Sequence, residues 1–171
     1  MGLADDLGYG FGQQNRLQRW VVALAATRLL SAVTRWALPS IDRLVVGRSQ
    51  GRSTATSWVS GLPPLWVTMT GSRSGAQRTV PLFGIPIEGD LAVLGTSFGQ
   101  KATPAWVHNL EAIPQARASY QGRTVIIVAR PARPAEEAVI WASAARVYPG
   151  YARYQTRASH RRIRVFVLES I

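Results

Sequence analysis

The sequence predicts a mainly β (α+β) domain, a small antiparallel barrel of about six strands with two short helices and an N-terminal helix. After Pro64, short runs rich in β-branched and aromatic residues alternate with turns that contain glycine or proline. Most of these connections are too short for the crossovers that parallel strands require. A small antiparallel barrel therefore fits this pattern better than a parallel α/β sheet.

The first third of the chain has a different pattern. Residues 15–38 predict a helix, and residues 47–61 predict a polar loop rich in Gly, Ser and Thr. Arginines interrupt the helix, so no apolar run reaches the length of about 18–20 residues that spans a bilayer. Its tryptophans and arginines fit a helix lying on a membrane surface, and equally one packed on the domain or on a partner subunit. We therefore divide the chain into residues 1–61, the helix and loop, and residues 62–171, the barrel.

The barrel begins with a strand at Leu65–Thr70, and Gly71–Gly75 turns it into a second strand at Arg78–Ile87. Proline cannot donate to a sheet ladder, so Pro81 and Pro86 place this second strand at an edge or in a bulge. The remaining strands are predicted at Leu91–Thr96, Arg117–Tyr120, Thr124–Arg130 and Arg162–Leu168.

Two short helices complete the barrel segment. The first is predicted to begin with Thr103 as its cap and Pro104 at its first position. The second spans Pro134–Val147, with acidic residues near its positive end. The stripe of the first helix that faces the core is predicted to be Trp106, Leu110 and Ile113.

Charge and composition limit the partners. The net charge is +11, carried almost entirely by arginine, which attracts nucleic acid, anionic lipid or a ligand with phosphates and carboxylates. Nucleic acid is not expected, because the chain lacks the interleaved aromatic strand motif of single-strand binders. Without cysteine there is no disulfide and no thiolate, and with two histidines no metal site is expected. The N-terminus lacks the basic-then-apolar order of a signal peptide, so we expect a cytoplasmic protein.

Three segments carry candidate chemistry. The turn from Gly71 to Arg78 combines two arginines, two serines and backbone N–H groups, which suits phosphate or carboxylate binding, although it could be an ordinary solvated turn. The run from Gly95 to Gly99 spells G-x-S-x-G, but no aspartate follows it, so a loop lying against a ligand fits better than a serine hydrolase. Asn109 lies on one helix face with Trp106 and needs a polar partner, in the protein or in a ligand.

A further segment holds three phenols, Tyr148, Tyr151 and Tyr154, within seven residues. Such tyrosines can line an apolar pocket and donate from their hydroxyls to a planar substrate, or they can simply pack at a helix end. The sequence leaves both interpretations open.

Taken in order, these segments resemble the deazaflavin (coenzyme F420)-dependent nitroreductase family, also described as F420-dependent quinone reductases. The motifs that carry the resemblance are VTMTGSRSGAQRTVPL, TPAWVHNLEAIP, VYPGYARYQ and RIRVFVLE, between Pro64 and Glu169. The resemblance implies a split β-barrel like that of flavin-mononucleotide-binding proteins. It also implies an oxidoreductase that transfers a hydride from reduced coenzyme F420 to a quinone-like or nitro-aromatic acceptor.

The resemblance also implies roles for individual residues. The coenzyme's phosphate and acidic tail would be held by Arg73, Ser74 and Arg78. The deazaflavin ring and ribityl chain would be lined by Thr79, Val80, Pro81, Leu82, Leu94, Gly95, Thr96, Ser97, Ala105, Trp106 and Asn109. Tyr151, with Tyr148 and Tyr154, would face the acceptor, and we expect Tyr151 or Tyr154 to donate the proton. Two positions depart from the family pattern, because Ser97 stands where a lysine is frequent and Phe83 where a tyrosine is.

Two alternatives stay open beside this interpretation. One is a flavin-mononucleotide-dependent oxidoreductase of the same fold, and the other is a non-catalytic carrier of the coenzyme or of a lipid. The expected partners are a small-molecule acceptor and a second copy of the chain in a homodimer. A peripheral contact with the anionic inner face of the plasma membrane is also expected.

Overall fold

The computed structural model describes residues 2–10, 63–148 and 150–171. The helix predicted at residues 15–38 and the loop predicted at 47–61 lie outside the described residues. Residues 2–9 and 65–171 belong to one compact unit. Within the described ranges, no helix is long and apolar enough to cross a membrane.

The compact unit is built on one seven-stranded sheet in the order β2-β1-β5-β6-β7-β4-β3. Every neighbouring pair of strands is antiparallel, which confirms the predicted α+β barrel class with one strand more than expected. The strands are β1 (Leu65–Thr70), β2 (Gln77–Leu82), β3 (Ile85–Ile87), β4 (Asp90–Leu94), β5 (Gln115–Tyr120), β6 (Arg123–Pro131) and β7 (Val165–Ser170).

The helices of the unit are short. They are α1 (Leu3–Leu7), α2 (Ala105–Ala112), α3 (Pro134–Val147) and α4 (Gly150–Arg157), together with a 3-10 turn at Ser97–Gly99. The bounds predicted for α3 are confirmed. The predicted cap of α2 is wrong, because the helix begins after Pro104, which is itself the N-cap and makes no side-chain capping bond. The sequence did not predict α4.

The single strand predicted at Arg78–Ile87 is wrong, because the chain there forms β2 and β3 at opposite edges of the sheet. The break lies at Phe83 and Gly84. The Gly84 N–H leaves the ladder and donates to the Tyr9 hydroxyl over 3.1 Å. A Cβ at Gly84 would lie 3.2 Å from the Tyr9 ring, so glycine allows this close approach. The expectation that the prolines mark an edge is confirmed, since β2 and β3 are both edge strands.

The core lies on the face of β1 that carries Leu65, Val67 and Met69, all of them buried, while alternate residues are partly exposed. This alternation is that of a strand with one buried face. Helix α2 buries Val107 and Leu110. The predicted stripe of α2 is therefore only partly right, because Trp106 and Ile113 are half-buried.

The N-terminal residues pack on the barrel. Leu3 and Leu7 of α1 are buried, and the Leu3 N–H donates to the Asp90 carboxylate over 3.0 Å. The Tyr9 ring meets the Tyr120 ring edge-on at 4.8 Å between centroids. Residues 2–9 were grouped with the N-terminal segment in the sequence-based division, whereas in the structure α1 packs against β4, β6 and β7.

Candidate functional site

The loop between β1 and β2, residues 71–76, is a tight turn closed by its own backbone. The Gly71 carbonyl accepts from the N–H groups of Ser74 and Gly75, over 3.2 and 2.8 Å. The Gly71 N–H donates to the Ala76 carbonyl over 2.8 Å, and Gly75 has a φ of +67°. Glycine adopts this left-handed conformation without steric cost, so the turn predicted from the glycines is the one that forms.

This turn is fastened to α2 by a side chain. The Asn109 side-chain oxygen accepts from the Ser72 N–H over 3.0 Å and from the Ser72 hydroxyl over 3.1 Å. The polar partner that the sequence requires for Asn109 is therefore the turn itself. The two bonds hold the residues next to Ser72 against the helix that carries Trp106.

Contrary to the expectation from the sequence, most backbone N–H groups of the turn are not available to cradle an anion. The N–H groups of Ser72, Ser74, Gly75 and Ala76 all donate within the protein. Anion binding then depends on the side chains of Arg73 and Arg78, both exposed. In the described ranges neither guanidinium is paired with a carboxylate, so their charges are available to a ligand.

Strand β2 divides its predicted site residues between two faces. Val80 lies opposite Val67, and Arg78 lies opposite Met69, so both share the face that β1 buries. Thr79 instead faces the other way, where its hydroxyl bonds the Thr68 hydroxyl over 2.8 Å. Because successive side chains of a strand point to opposite faces, the five residues from Arg78 to Leu82 cannot all reach one ligand with their side chains.

The loop after β4 is packed against α2. Leu94, Gly95 and Thr96 are buried, and the Gly95 N–H donates to the Arg164 carbonyl over 2.9 Å. A Cβ at Gly95 would lie only 2.8 Å from Cγ2 of Val107, a distance that real Cβ atoms do not adopt. Glycine at this position thus lets the loop approach the helix. Ser97 follows with a φ of +46° and is half-buried.

A residue that the sequence did not single out holds this loop in place. The Arg161 guanidinium donates through Nη2 to the carbonyls of Gly95 and Thr96, over 3.1 and 2.9 Å. Its Nε donates to the Gln100 carbonyl over 3.1 Å. The only signal in the sequence was the stretch from Arg153 to Arg164, with five arginines and no acid.

The three phenols lie together where α3 ends and α4 begins. The hydroxyls of Tyr148 and Tyr154 are 3.1 Å apart, and the ring centroids of the three tyrosines lie 5.7 to 6.1 Å from one another. Tyr151 and Tyr154 are buried, whereas Tyr148 is half-buried. Burial raises the pKa of Tyr151 and of Tyr154 above its ordinary value, so both phenols stay protonated at neutral pH.

The structure brings most of the predicted segments into one connected arrangement around α2. The turn is bonded to α2 through Asn109, and the loop after β4 contacts α2 at Val107. Helix α4 reaches the same loop, because a Cβ at Gly99 would lie 2.7 Å from that of Arg157.

Trp106 packs against Phe166 of β7, with 6.0 Å between ring centroids, and Ala105 beside it is exposed. Tyr151 is the most buried of the three phenols.

In the described part of the chain, no three His, Asp or Glu side chains are grouped as metal ligands would be. Exposed cations, a glycine-lined close approach and buried phenols are the functional groups present. Such a set can bind an anionic ligand, hold a flat ring against a loop and donate a proton.

The sequence profile of the F420H(2)-dependent quinone reductase family matches residues 42–170, which is well over half of the chain. Among solved structures, an F420-H2-dependent reductase, FDR-A, is 32% identical with a TM-score of 0.57, and the match covers 63% of this chain and 94% of that one.

A second structure, described as a domain-swapped dimer, is 31% identical with a TM-score of 0.58, and the match covers 80% of this chain and 98% of that one. A protein of unknown function from Agrobacterium tumefaciens is 17% identical with a TM-score of 0.50, over 63% of this chain and 48% of that one. This last likeness concerns the fold alone.

Proposed function

The chain belongs to the F420H(2)-dependent quinone reductase family, and on that premise we propose which of its residues hold the coenzyme and which serve the acceptor. The protein is an F420-dependent reductase, and its fold is the split β-barrel of that family. When bound, reduced coenzyme F420 supplies the hydride that a quinone accepts. The protein itself has to bind and orient the coenzyme, exclude water and supply a proton.

The donor set fits an anionic coenzyme. Arg73 and Arg78 are exposed and carry no carboxylate partner among the described residues; Arg73 lies in the turn that Asn109 fixes, and Arg78 lies just after it on β2. Guanidinium groups bind phosphate and carboxylate through charge-assisted hydrogen bonds. We assign the phosphate and acidic tail of the coenzyme to Arg73 and Arg78, with the Ser74 hydroxyl beside them. The observation that carries this assignment is the pair of bonds from Ser72 to Asn109.

The ring and ribityl chain are assigned to the surface between β2, the loop after β4, and α2. Of the β2 residues, Val80 and Leu82 would contribute side chains, because they lie on the inner face, while Thr79 and Pro81 would contribute backbone. The remaining residues of this proposed surface are Leu94, Gly95, Thr96, Ser97, Ala105, Trp106 and Asn109.

Reduction of a quinone needs one proton for each hydride that arrives. We assign this proton to Tyr154 or Tyr151, whose burial keeps them protonated. The Tyr154 hydroxyl is bonded to that of Tyr148, which is half-buried and closer to solvent. A proton lost from Tyr154 to the acceptor would be replaced through Tyr148. Because Tyr151 and Tyr154 are buried, the phenol cluster would also help to exclude water from the reacting atoms.

The proposal is tested by titrating the purified protein with coenzyme F420 and with flavin mononucleotide, followed by fluorescence, and then by adding a soluble quinone or a nitro-aromatic compound to the reduced complex. We expect saturable binding of coenzyme F420, weaker binding of flavin mononucleotide and quinone-dependent oxidation of the deazaflavin. Tight binding without acceptor reduction would indicate a carrier, and preference for flavin mononucleotide would indicate the other cofactor.

The association with membrane and the homodimer stay proposals. The acceptor class supports a membrane contact, because quinones partition into lipid, and the arginines of residues 15–38 suit an anionic surface. Co-sedimentation with anionic and with neutral vesicles tests it, and equal binding to both would contradict the role of charge. The similar structure described as a domain-swapped dimer supports a homodimer, which light scattering after size exclusion would detect.

A further inference from the structure

Arg161 differs from the other arginines near it in what it binds. Arg162 pairs with Glu137 over 2.9 Å, and Arg164 pairs with Glu111 over 2.8 Å. Arg161 instead donates to three backbone carbonyls, those of Gly95, Thr96 and Gln100. Carbonyls satisfy hydrogen bonds but bring no negative charge, so the positive charge of Arg161 has no counter-charge in the described part of the chain.

The Arg161 guanidinium also has one unsatisfied hydrogen-bond donor. Its Nη1 is buried and has no hydrogen-bond partner in the described part of the chain. A buried N–H without an acceptor loses the hydrogen bond that it makes to water in the unfolded chain, so such groups are uncommon in folded proteins unless they serve a purpose. Partial burial lowers the pKa of Arg161, and no carboxylate of the described residues pairs with it to offset this.

The Arg161 guanidinium lies against the loop after β4, which is proposed to contact the coenzyme. The carbonyls of Gly95 and Thr96 belong to the segment assigned to the deazaflavin, and no residue from Leu94 to Gln100 is charged. Ser97 in particular offers no cation of its own. The Arg161 guanidinium is partly buried behind this loop, so salt screens its charge less than it screens the charges of the exposed Arg73 and Arg78.

We propose that Arg161 is a further coenzyme-binding determinant, a positioning residue that fixes the loop after β4 through its carbonyls and directs uncompensated positive charge toward the phosphate of the bound deazaflavin coenzyme. This inference rests on the proposed function. It assigns to a half-buried arginine in the segment before β7 part of the phosphate recognition that Arg73 and Arg78 would otherwise supply alone.

The experiment compares two ligands and three variants. Coenzyme F420 and its phosphate-free fragment, which keeps the ring and the ribityl chain, are titrated against the wild-type chain, Arg161→Gln and Arg161→Lys. Glutamine still offers an N–H to the carbonyls but has no charge, and lysine keeps the charge. Arg162→Gln is the matched control, because Arg162 is the next residue and 67% of its side chain is exposed.

We expect Arg161→Gln to weaken the binding of coenzyme F420 by about tenfold and that of the fragment by less than about twofold, because the positive charge that attracts the phosphate is removed. Arg161→Lys should retain most of the affinity, and Arg162→Gln should bind both ligands as the wild type does. Equal losses for the two ligands, no loss for either, or a lysine variant no better than glutamine would each overturn the proposal.

Two checks keep the result interpretable. Thermal unfolding of each variant shows whether it folds, and if Arg161→Gln does not, the double variant Arg73→Gln/Arg78→Gln tests the same idea. That variant should still prefer coenzyme F420 to the fragment, with a preference that changes little between low and high salt. A wild-type chain that binds neither ligand would defeat the proposed function, whereas a wild-type chain that binds both with unchanged Arg161 variants would defeat this inference alone.

Discussion

The side-chain oxygen of Asn109 accepts two hydrogen bonds from Ser72, one from its N–H and one from its hydroxyl. The two residues lie 37 positions apart, in α2 and in the turn between β1 and β2. The contact therefore couples the helix that carries Trp106 to the turn that carries Arg73. Breaking this contact tests whether coenzyme binding requires Arg73 to be held in place before the coenzyme arrives.

Asn109→Ala removes both bonds at once and leaves a backbone N–H without its acceptor. We expect an affinity for coenzyme F420 lower by about tenfold and a free energy of unfolding lower by about 1–2 kcal/mol. Ser72→Ala, which removes only the hydroxyl bond, should lose less of both. Fluorescence titration and urea denaturation measure the two effects. An Asn109→Ala protein that binds as tightly as the wild type would show that the turn needs no anchor.

Gly95→Ala places a methyl group where the structure leaves no room, 2.8 Å from Cγ2 of Val107. We expect it to lower the free energy of unfolding by about 1–3 kcal/mol and to weaken coenzyme binding, because the loop must move away from α2. The double variant Gly95→Ala/Val107→Ala should be more stable than the sum of the two single effects predicts, since removing the Val107 methyls makes space. Strict additivity would argue against this contact as the cause.

Tyr154→Phe keeps the ring and removes the hydroxyl that bonds Tyr148. If this phenol donates the proton, kcat with a quinone acceptor should fall by about 10²-fold or more while the Kd for coenzyme F420 stays within about twofold. Tyr151→Phe and the double Phe variant identify which phenol acts. Turnover unchanged in all three variants would exclude both phenols as donors, and Tyr148→Phe would then be the next variant to examine.

Glu136 links α3 to the sheet. It binds Arg130 through two bonds of 2.8 Å and accepts the Arg133 N–H over 2.7 Å. The Arg130 guanidinium, with help from the Arg133 N–H, lowers the pKa of Glu136 to about 2 from an ordinary 4.5. A lowered carboxyl pKa stabilises the fold above pH 4.5, and this stability is lost as the pH falls toward 2.

Glu136→Gln should therefore lower the free energy of unfolding at pH 7 by about 1–3 kcal/mol and weaken its decline between pH 4.5 and 2. Glu137→Gln is the control, because its partner Arg162 is largely exposed and the ion pair contributes at most about 1 kcal/mol. Denaturant unfolding at a series of pH values measures both. If the free energy of unfolding of Glu136→Gln fell between pH 4.5 and 2 as steeply as that of the wild type, the role assigned to this carboxylate would be contradicted.

Where local signals decide, the sequence predicted the structure well. The bounds of α3 follow from Pro134 at its start and the acidic residues behind it, and the turn after β1 follows from Gly75. The break at Gly84 could not be predicted, because its partner Tyr9 lies 75 residues away. Helix α4 did leave a signal in the helical spacing of Tyr151, Tyr154 and Ala158, all buried, but phenols in a row favoured the interpretation of a pocket lining.

The candidate site shows the same division. The resemblance indicated which segments would form the site, and the structure brings the turn, the loop after β4 and α2 into contact. Which donors stay available could not be predicted, because Asn109 commits its oxygen to Ser72 and the turn amides bond within the protein. Arg161 was missed because the carbonyls that it binds lie more than 60 residues earlier in the chain.

The two edge strands, β2 and β3, are consecutive in the chain and only Phe83 and Gly84 lie between them. In a flat sheet of seven strands the edges would be roughly 29 Å apart, whereas the link from Leu82 to Ile85 spans at most about 11 Å. The sheet is therefore forced to roll up by covalent connectivity, whatever its side chains prefer. Phe83-Gly84 is thus the covalent link that closes the barrel between its two edge strands. Cleaving the backbone there would remove the link that holds β2 and β3 near each other.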